Sequence, residues 1–159
     1  VRHYHLKQGQ CLITDGPARV VTLLGSCLSI VIYDPALSLA GISHCSLPSR
    51  RADGKGDNPF DYVDSCMEFM WSEFKRRGSS AARARVQLFG GARMLADSRR
   101  ESISVGAKNV ARALDLIERL GLRLEREETG GTQGRKLSFS TETGRAVCRL
   151  LVALPEGQG

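Results

Sequence analysis

The stretch from Cys11 to Leu47 constrains the fold of this chain more than any other part of its sequence. It is dense in Val, Ile, Leu and Thr and is broken at Asp15-Gly16-Pro17, Gly25 and Asp34-Pro35. Short apolar, β-branched runs bounded by turn residues read as strands joined by turns. Leu28-Ser29-Ile30-Val31-Ile32-Tyr33 has the composition of a buried strand, and Leu39 to Leu47 follows it after a short turn through Pro35. The two are predicted to pair as a hairpin.

Helical signals start only afterwards. A polar loop, Ser49 to Pro59, carries Gly54, Gly56 and Pro59 and reads as a lid, a binding loop or a passive connector. Val63, Cys66, Met67, Met70, Trp71 and Phe74 then recur at helical spacing, with Gly78 placed to end the helix. Arg85 to Phe89 reads as a strand ending at Gly90-Gly91. Val110, Ala113, Leu114, Ile117 and Leu120 mark a second helix, stopped by Gly121. Leu122–Thr129, Lys136–Ser140 and Val147–Leu154 supply further strands. This order predicts an α/β fold: one domain over residues 1–159, a layered sandwich with a mixed β-sheet core and two main amphipathic helices on one side. The end of the tail, residues 155–159, is expected to fray.

Hydrophobic residues make up 42% and charged residues 25%, which is ordinary globular composition and argues against disorder. No apolar run approaches the roughly 20 residues of a membrane span, and the polar start does not resemble a signal peptide. A cytoplasmic protein without membrane insertion is expected. The formal net charge is +6, with arginines at Arg50-Arg51, Arg76-Arg77, Arg83, Arg85 and Arg99-Arg100. An acidic partner suits that balance. No aromatic residues interleave with the arginines as on a single-strand platform, so they read as a solvated surface and not as a nucleic-acid site.

The five cysteines, Cys11, Cys27, Cys45, Cys66 and Cys148, are scattered without Cys-x-x-Cys spacing, which suggests free thiols in a reducing compartment. Cys27 has the most suggestive setting. Gly25-Ser26-Cys27 interrupts the apolar text where one strand ends and the next begins, and a sharp turn there can expose a thiol and aim backbone N–H groups at one point. Cys66 lies on the apolar face of the first helix, and Cys11 and Cys148 sit among strand residues, so these three read as core. A reactive thiol needs a base, and the histidines are His3, His5 and His44. Hairpin pairing can bring His44 toward Cys27, although a hydrogen-bonded core histidine is an equal reading. Neighbours on a strand point to opposite faces, which makes Cys45 a poor partner for His44. His3 and His5 share a strand face but lack a fitting third metal ligand; no cofactor and no metal are expected. Gly130-Gly131-Thr132-Gln133-Gly134-Arg135-Lys136 departs from the Walker pattern and reads as a tight hairpin turn.

Several blocks, taken in order, resemble the chemoreceptor glutamine deamidase family, CheD. They are Thr22-Leu23-Leu24-Gly25-Ser26-Cys27, Tyr33-Asp34-Pro35 and Gly41-Ile42-Ser43-His44-Cys45-Ser46-Leu47-Pro48. Downstream come Phe89-Gly90-Gly91-Ala92 with Met94, Val105-Gly106-Ala107-Lys108-Asn109, and Thr129 through Lys136. The resemblance covers about residues 5–153. It implies a catalytic set of Cys27, His44 and Thr22, and a fold similar to the deamidase domain of cytotoxic necrotizing factor toxins. It also implies hydrolysis of glutamine side chains on methyl-accepting chemotaxis receptors, with glutamate methyl ester hydrolysis as a second activity. The implied partners are the receptors' cytoplasmic helical bundle and a CheC-type phosphatase. A non-catalytic module that regulates that phosphatase is the alternative. Around the histidine this chain has Ser43, Cys45 and Ser46, where members often carry asparagine before it and bulky apolar residues after it.

Overall fold

A computed structural model describes residues 1–53, 57–94 and 103–152. Gly54, Gly56, Arg99, Arg100 and the tail predicted to fray lie outside the described residues. Among the described residues the chain forms nine strands and two α-helices. These are β1 (Arg2–His5), β2 (Cys11–Thr14), β3 (Ala18–Leu24), β4 (Leu28–Asp34), β5 (Leu39–Ser43), α1 (Val63–Arg76), β6 (Arg85–Gly90), α2 (Val105–Arg119), β7 (Arg123–Thr129), β8 (Arg135–Ser140) and β9 (Arg145–Leu150). A short 3-10 turn, Pro59–Asp61, precedes α1.

The α/β class and the two helices agree with the sequence reading, but the single mixed sheet becomes two. One sheet has the order β1-β3-β8-β9 and the other β2-β5-β4-β6-β7. Each contains one parallel pair, β1 with β3 and β6 with β7, so both are mixed. The reason lies in β4, which is buried on both faces. Leu28, Ile30 and Ile32 join α1, α2, Val86 and Leu88 in one apolar cluster. Val31 points the other way, into a cluster with Val20 and Leu24 of β3, Phe89 of β6, and Leu137 and Phe139 of β8. Successive strand residues point to opposite faces, so a strand apolar at both must be covered twice. By contrast β3 alternates buried and less buried positions, which places it in an outer layer. The order of layers is helices, five-stranded sheet, four-stranded sheet.

The β4–β5 hairpin forms as predicted, with Val31 opposite Ile42 and Asp34 opposite Leu39. Its turn is anchored by the buried Asp34 carboxylate, which accepts from Ala36 N at 3.0 Å, Ser79 Oγ at 2.5 Å and Arg83 Nε at 3.3 Å. α1 forms because its apolar stripe, Val63, Cys66, Met67, Met70, Trp71 and Phe74, is buried. Full burial of a large apolar side chain contributes roughly 1.5–3 kcal/mol, so the stripe outweighs any local preference.

Two further expectations change. The glycine-rich segment 130–134 is no hairpin turn: β7 belongs to the five-stranded sheet and β8 to the four-stranded one, so the segment crosses between layers. Arg135, buried, secures the crossing by donating from Nη1 to Gly130 O at 2.9 Å and Gly90 O at 3.2 Å. The last strand ends at Leu150, residues 151–152 follow it outside any strand, and Leu154 lies outside the described residues. The described parts of the 49–59 loop are tied down, with Arg50 N donating to Asp64 Oδ1 and Asn58 Nδ2 to Gly9 O.

Candidate active site

Gly25-Ser26-Cys27 is the link by which the chain leaves the four-stranded sheet at the end of β3 and enters the five-stranded sheet at β4. Its three carbonyls face one wall. Gly25 O accepts from Ala92 N at 3.0 Å, Cys27 O from Gly91 N at 2.9 Å, and Ser26 O from Asn109 Nδ2 at 3.0 Å. The Phe89–Ala92 block and α2 therefore hold the turn that carries the thiol.

Leu28 pairs with Cys45 through two 2.8 Å backbone hydrogen bonds, extending the β4–β5 register past the strand end. Leu28 and Cys45 face the helices. By alternation Cys27 and His44 leave the sheet on its other face, and the register makes them diagonal cross-strand neighbours. Such neighbours stand roughly 7–8 Å apart or less, within reach of an imidazole. Cys27 packs accordingly against the cluster between the sheets. The backbone of His44 is fixed on both sides, its N–H donating to Gln10 O at 3.1 Å and its carbonyl accepting from Gly9 N at 2.9 Å.

Thr22 reaches the same place from the opposite sheet. On β3 it points inward, with its side chain fully buried. Its Oγ1 lies 2.8 Å from Leu6 O and 2.7 Å from His44 Nδ1. A carbonyl only accepts, so the single hydroxyl proton is given to Leu6 and the hydroxyl must accept from the ring. Nδ1 therefore carries the proton, and Nε2 keeps its lone pair. The structure thus places Thr22, His44 and Cys27 around one interior junction.

Burial pushes the His44 imidazole below its ordinary value near 6.5, and the Leu6 carbonyl opposes this by favouring the charged ring. Burial thus favours the neutral form of the ring. The shift has a stability consequence. An unfolded chain takes up this proton near pH 6.5 while the folded one resists it, so His44's contribution is complete above that pH and declines below it. We expect the denaturation midpoint to fall between pH 7.5 and 5.5 in the native chain and to fall less in His44→Gln. Equal falls would show that His44 is not the linked group.

The remaining thiols are placed away from this junction. Cys45 and Cys66 are fully buried beneath the helices. Hydrogen bonding to Cys66, then burial, lifts the Cys11 and Cys45 thiols above the ordinary range. Burial and the Glu128 charge raise Cys148. The same hydrogen bonds from Cys11 and Cys45 hold the Cys66 thiol down to about 4, but Cys66 is fully buried under the helices where no substrate reaches it, and the raised thiols of Cys11, Cys45 and Cys148 are not favoured as nucleophiles. Cys11, Cys66 and Cys148 hold the core and strand positions predicted for them, though Cys11 and Cys148 are only half-buried. His3 and His5 are exposed on β1, and the described residues contain no group of three ligands able to hold a metal. Among the described residues, several of the singled-out arginines lie in ion pairs: Arg51 with Asp53, Arg76 and Arg77 with Glu73, Arg83 with Asp34, and Arg85 with Glu125. No helix is long and apolar enough to cross a membrane among the described residues.

Asn109 went unassigned in the sequence apart from its membership of a glycine-containing block. A signal was present: a polar residue on the α2 stripe formed by Gly106, Ala113, Leu116 and Ile117, all buried.

A family model described as CheD chemotactic sensory transduction matches residues 46–150. Two curated relatives extend the similarity across the site. The probable chemoreceptor glutamine deamidase CheD of Nitratidesulfovibrio vulgaris is 36% identical, covering 95% of this chain and 78% of the relative. The probable chemoreceptor glutamine deamidase CheD 2 of Geobacter sulfurreducens is 38% identical, covering 94% and 90%. Among solved structures, the Bacillus licheniformis hypothetical protein YfiH superposes with a TM-score of 0.46 at 15% identity, over 75% of this chain and 49% of that one, too distant to bear on function. The match to the family model and the relatives' near-complete coverage agree, and the chain belongs to the CheD family.

Proposed function

We propose that this protein is a chemoreceptor glutamine deamidase, a single catalytic unit in the cytoplasm, with Cys27 as nucleophile, His44 as base and Thr22 as the group that orients the base. The observation that carries the reading is the Leu6–Thr22–His44 hydrogen-bond chain, which leaves Nε2 as the acceptor on the sheet face that Cys27 shares. Family membership supplies the substrate class: relatives are named as acting on chemoreceptor glutamine.

Nε2 takes the thiol proton, and the thiolate attacks the carboxamide carbon. Backbone N–H groups of the 25–27 turn stabilise the oxyanion. The imidazolium protonates the departing ammonia, and the neutral ring then activates water to free glutamate from the thioester. The same steps hydrolyse a glutamate methyl ester, with methanol leaving in place of ammonia. On this proposal the fold shares the architecture of the toxin deamidase domain, and a CheC-type phosphatase is a binding partner.

The test is ammonia release from a purified receptor cytoplasmic fragment, with a gain of about 1 Da per converted glutamine as amide becomes acid. A native chain inactive on cognate receptors would overturn the proposal in favour of the phosphatase-binding module. In the same assay Thr22→Val should lower kcat by about 10²-fold, the lower end of what general acid–base catalysis supplies. The Leu6 carbonyl remains as a second acceptor for the ring, so the loss should be smaller than on removing His44. Unchanged kcat in Thr22→Val would exclude the orienting role.

A further inference from the structure

Asn109 lies in the second turn of α2 and is fully buried. Its Nδ2 donates to Ser26 O at 3.0 Å and to Ser46 O at 3.2 Å. Both partners are carbonyls, so the amide can be oriented only one way, with nitrogen toward them. Ser26 immediately precedes Cys27, and Ser46 lies two residues past His44. One side chain thus joins the segment that carries the thiol to the segment that carries the ring.

The amide is kept at a cost. Among the described residues its Oδ1 is buried without a hydrogen-bond partner, and an unsatisfied buried acceptor destabilises by about 1–3 kcal/mol. A residue serving only to fill space would avoid that by being apolar, as Ala113, Leu116 and Ile117 are on the same stripe. What an apolar residue cannot supply is the pair of N–H donors.

Peptide geometry gives those donors a further effect. In a trans peptide the carbonyl and the following N–H point in opposite directions. Holding Ser26 O against α2 therefore aims the Cys27 N–H away from α2. Gly25 O, held by Ala92 N, does the same for the Ser26 N–H. The helix itself cannot drift, because Gly106 packs directly on Gly91 and Ala92: a Cβ at 106 would lie 2.4 Å from Ala92 O and 2.6 Å from Gly91 C.

We propose that Asn109 is a positioning residue: its clamp on the Ser26 and Ser46 carbonyls aims the Cys27 N–H at the developing oxyanion and fixes the spacing between thiol and imidazole. This rests on the deamidase reading, with Cys27 and His44 as the reacting pair.

The test uses the full chain with Asn109→Leu, which keeps the shape and removes both donors, and Asn109→Ser, whose shorter donor cannot span the two carbonyls. Folding is checked by thermal melt, deamidation by kcat and KM on the receptor fragment, and Cys27 by its rate of iodoacetamide alkylation against pH, mapped by mass spectrometry. The expected result is a folded variant with KM near the native value and kcat lower by about 10²–10³-fold, the loss seen when an oxyanion donor is misplaced. The Cys27 alkylation curve should move to higher pH, since a displaced imidazole no longer assists thiolate formation. Folded variants with kcat within about threefold of native, or a loss carried by KM alone, would overturn the proposal. So would failure of both variants to fold, which would make Asn109 a packing residue. An inactive native chain would instead refute the deamidase reading, and the alkylation curves would still decide whether Asn109 sets the thiol–imidazole spacing.

Discussion

Alanine at position 27 should leave a receptor fragment unchanged in mass over an incubation in which the native chain converts its glutamines. The loss in kcat should be at least about 10⁴-fold, and a protease triad that loses its nucleophile loses about 10⁶-fold. His44→Ala should lose a comparable amount, because a thiol whose proton has no acceptor at Nε2 is a weak nucleophile at neutral pH. The two losses should not add, and Cys27→Ala/His44→Ala should be no slower than either single variant. Cys27 is half-buried at a turn and His44 is held in place by backbone hydrogen bonds, so both variants should keep the fold. The check is ammonia release beside a thermal melt. Substantial activity in folded Cys27→Ala would remove this thiol from the chemistry.

Gly90→Ala should also be damaging, without touching a reacting group. Gly90 ends β6 with φ at +106°, a conformation that favours glycine, and its pro-Cβ direction meets Cys27 O at 2.3 Å. The obstacle is backbone, so no side chain can swing aside. The strained φ costs of order 1–3 kcal/mol, and relieving the overlap requires the nucleophile turn to move. We expect a lower melting temperature together with a drop in kcat of at least about 10²-fold, since a misplacement near 1 Å is enough to produce it. Native kcat in Gly90→Ala would show that the turn tolerates the shift.

The parts of this fold that could be read from sequence are those whose partners lie close along the chain. The β4–β5 hairpin follows from two apolar runs separated by Asp34-Pro35, and α1 from the spacing of Val63 through Phe74. Division into two sheets left a weaker trace. The contrast between continuous β4 and alternating β3 carries it, but alternation says only that one face is covered, not by what. The 130–134 segment misleads for the same reason: glycines mark a change of direction without saying which sheet receives the next strand. In the site, Cys27 was legible as a thiol at a strand junction, while for His44 an approach to Cys27 through hairpin pairing stood level with a hydrogen-bonded core histidine. Thr22 entered only through family resemblance. Its hydroxyl acts across the gap between sheets, and nothing in Arg19 to Leu24 distinguishes it from an ordinary strand threonine. Asn109 meets Ser26 from 83 residues away, and a contact at that separation leaves no local pattern.

With His44 as the proposed base and Thr22 as its proposed orienting group, a ring on one sheet and the hydroxyl holding it on the other would make the chemistry depend on how well the two sheets are docked. Strand content alone cannot sustain it. In an expanded, acid-induced state that keeps its backbone ladders while side-chain packing loosens, Thr22 and His44 separate before either sheet dissolves. Turnover would then vanish with the aromatic circular dichroism signal and ahead of the peptide signal. On that assignment the enzyme would report its own tertiary order, silent in any form whose two sheets have come apart.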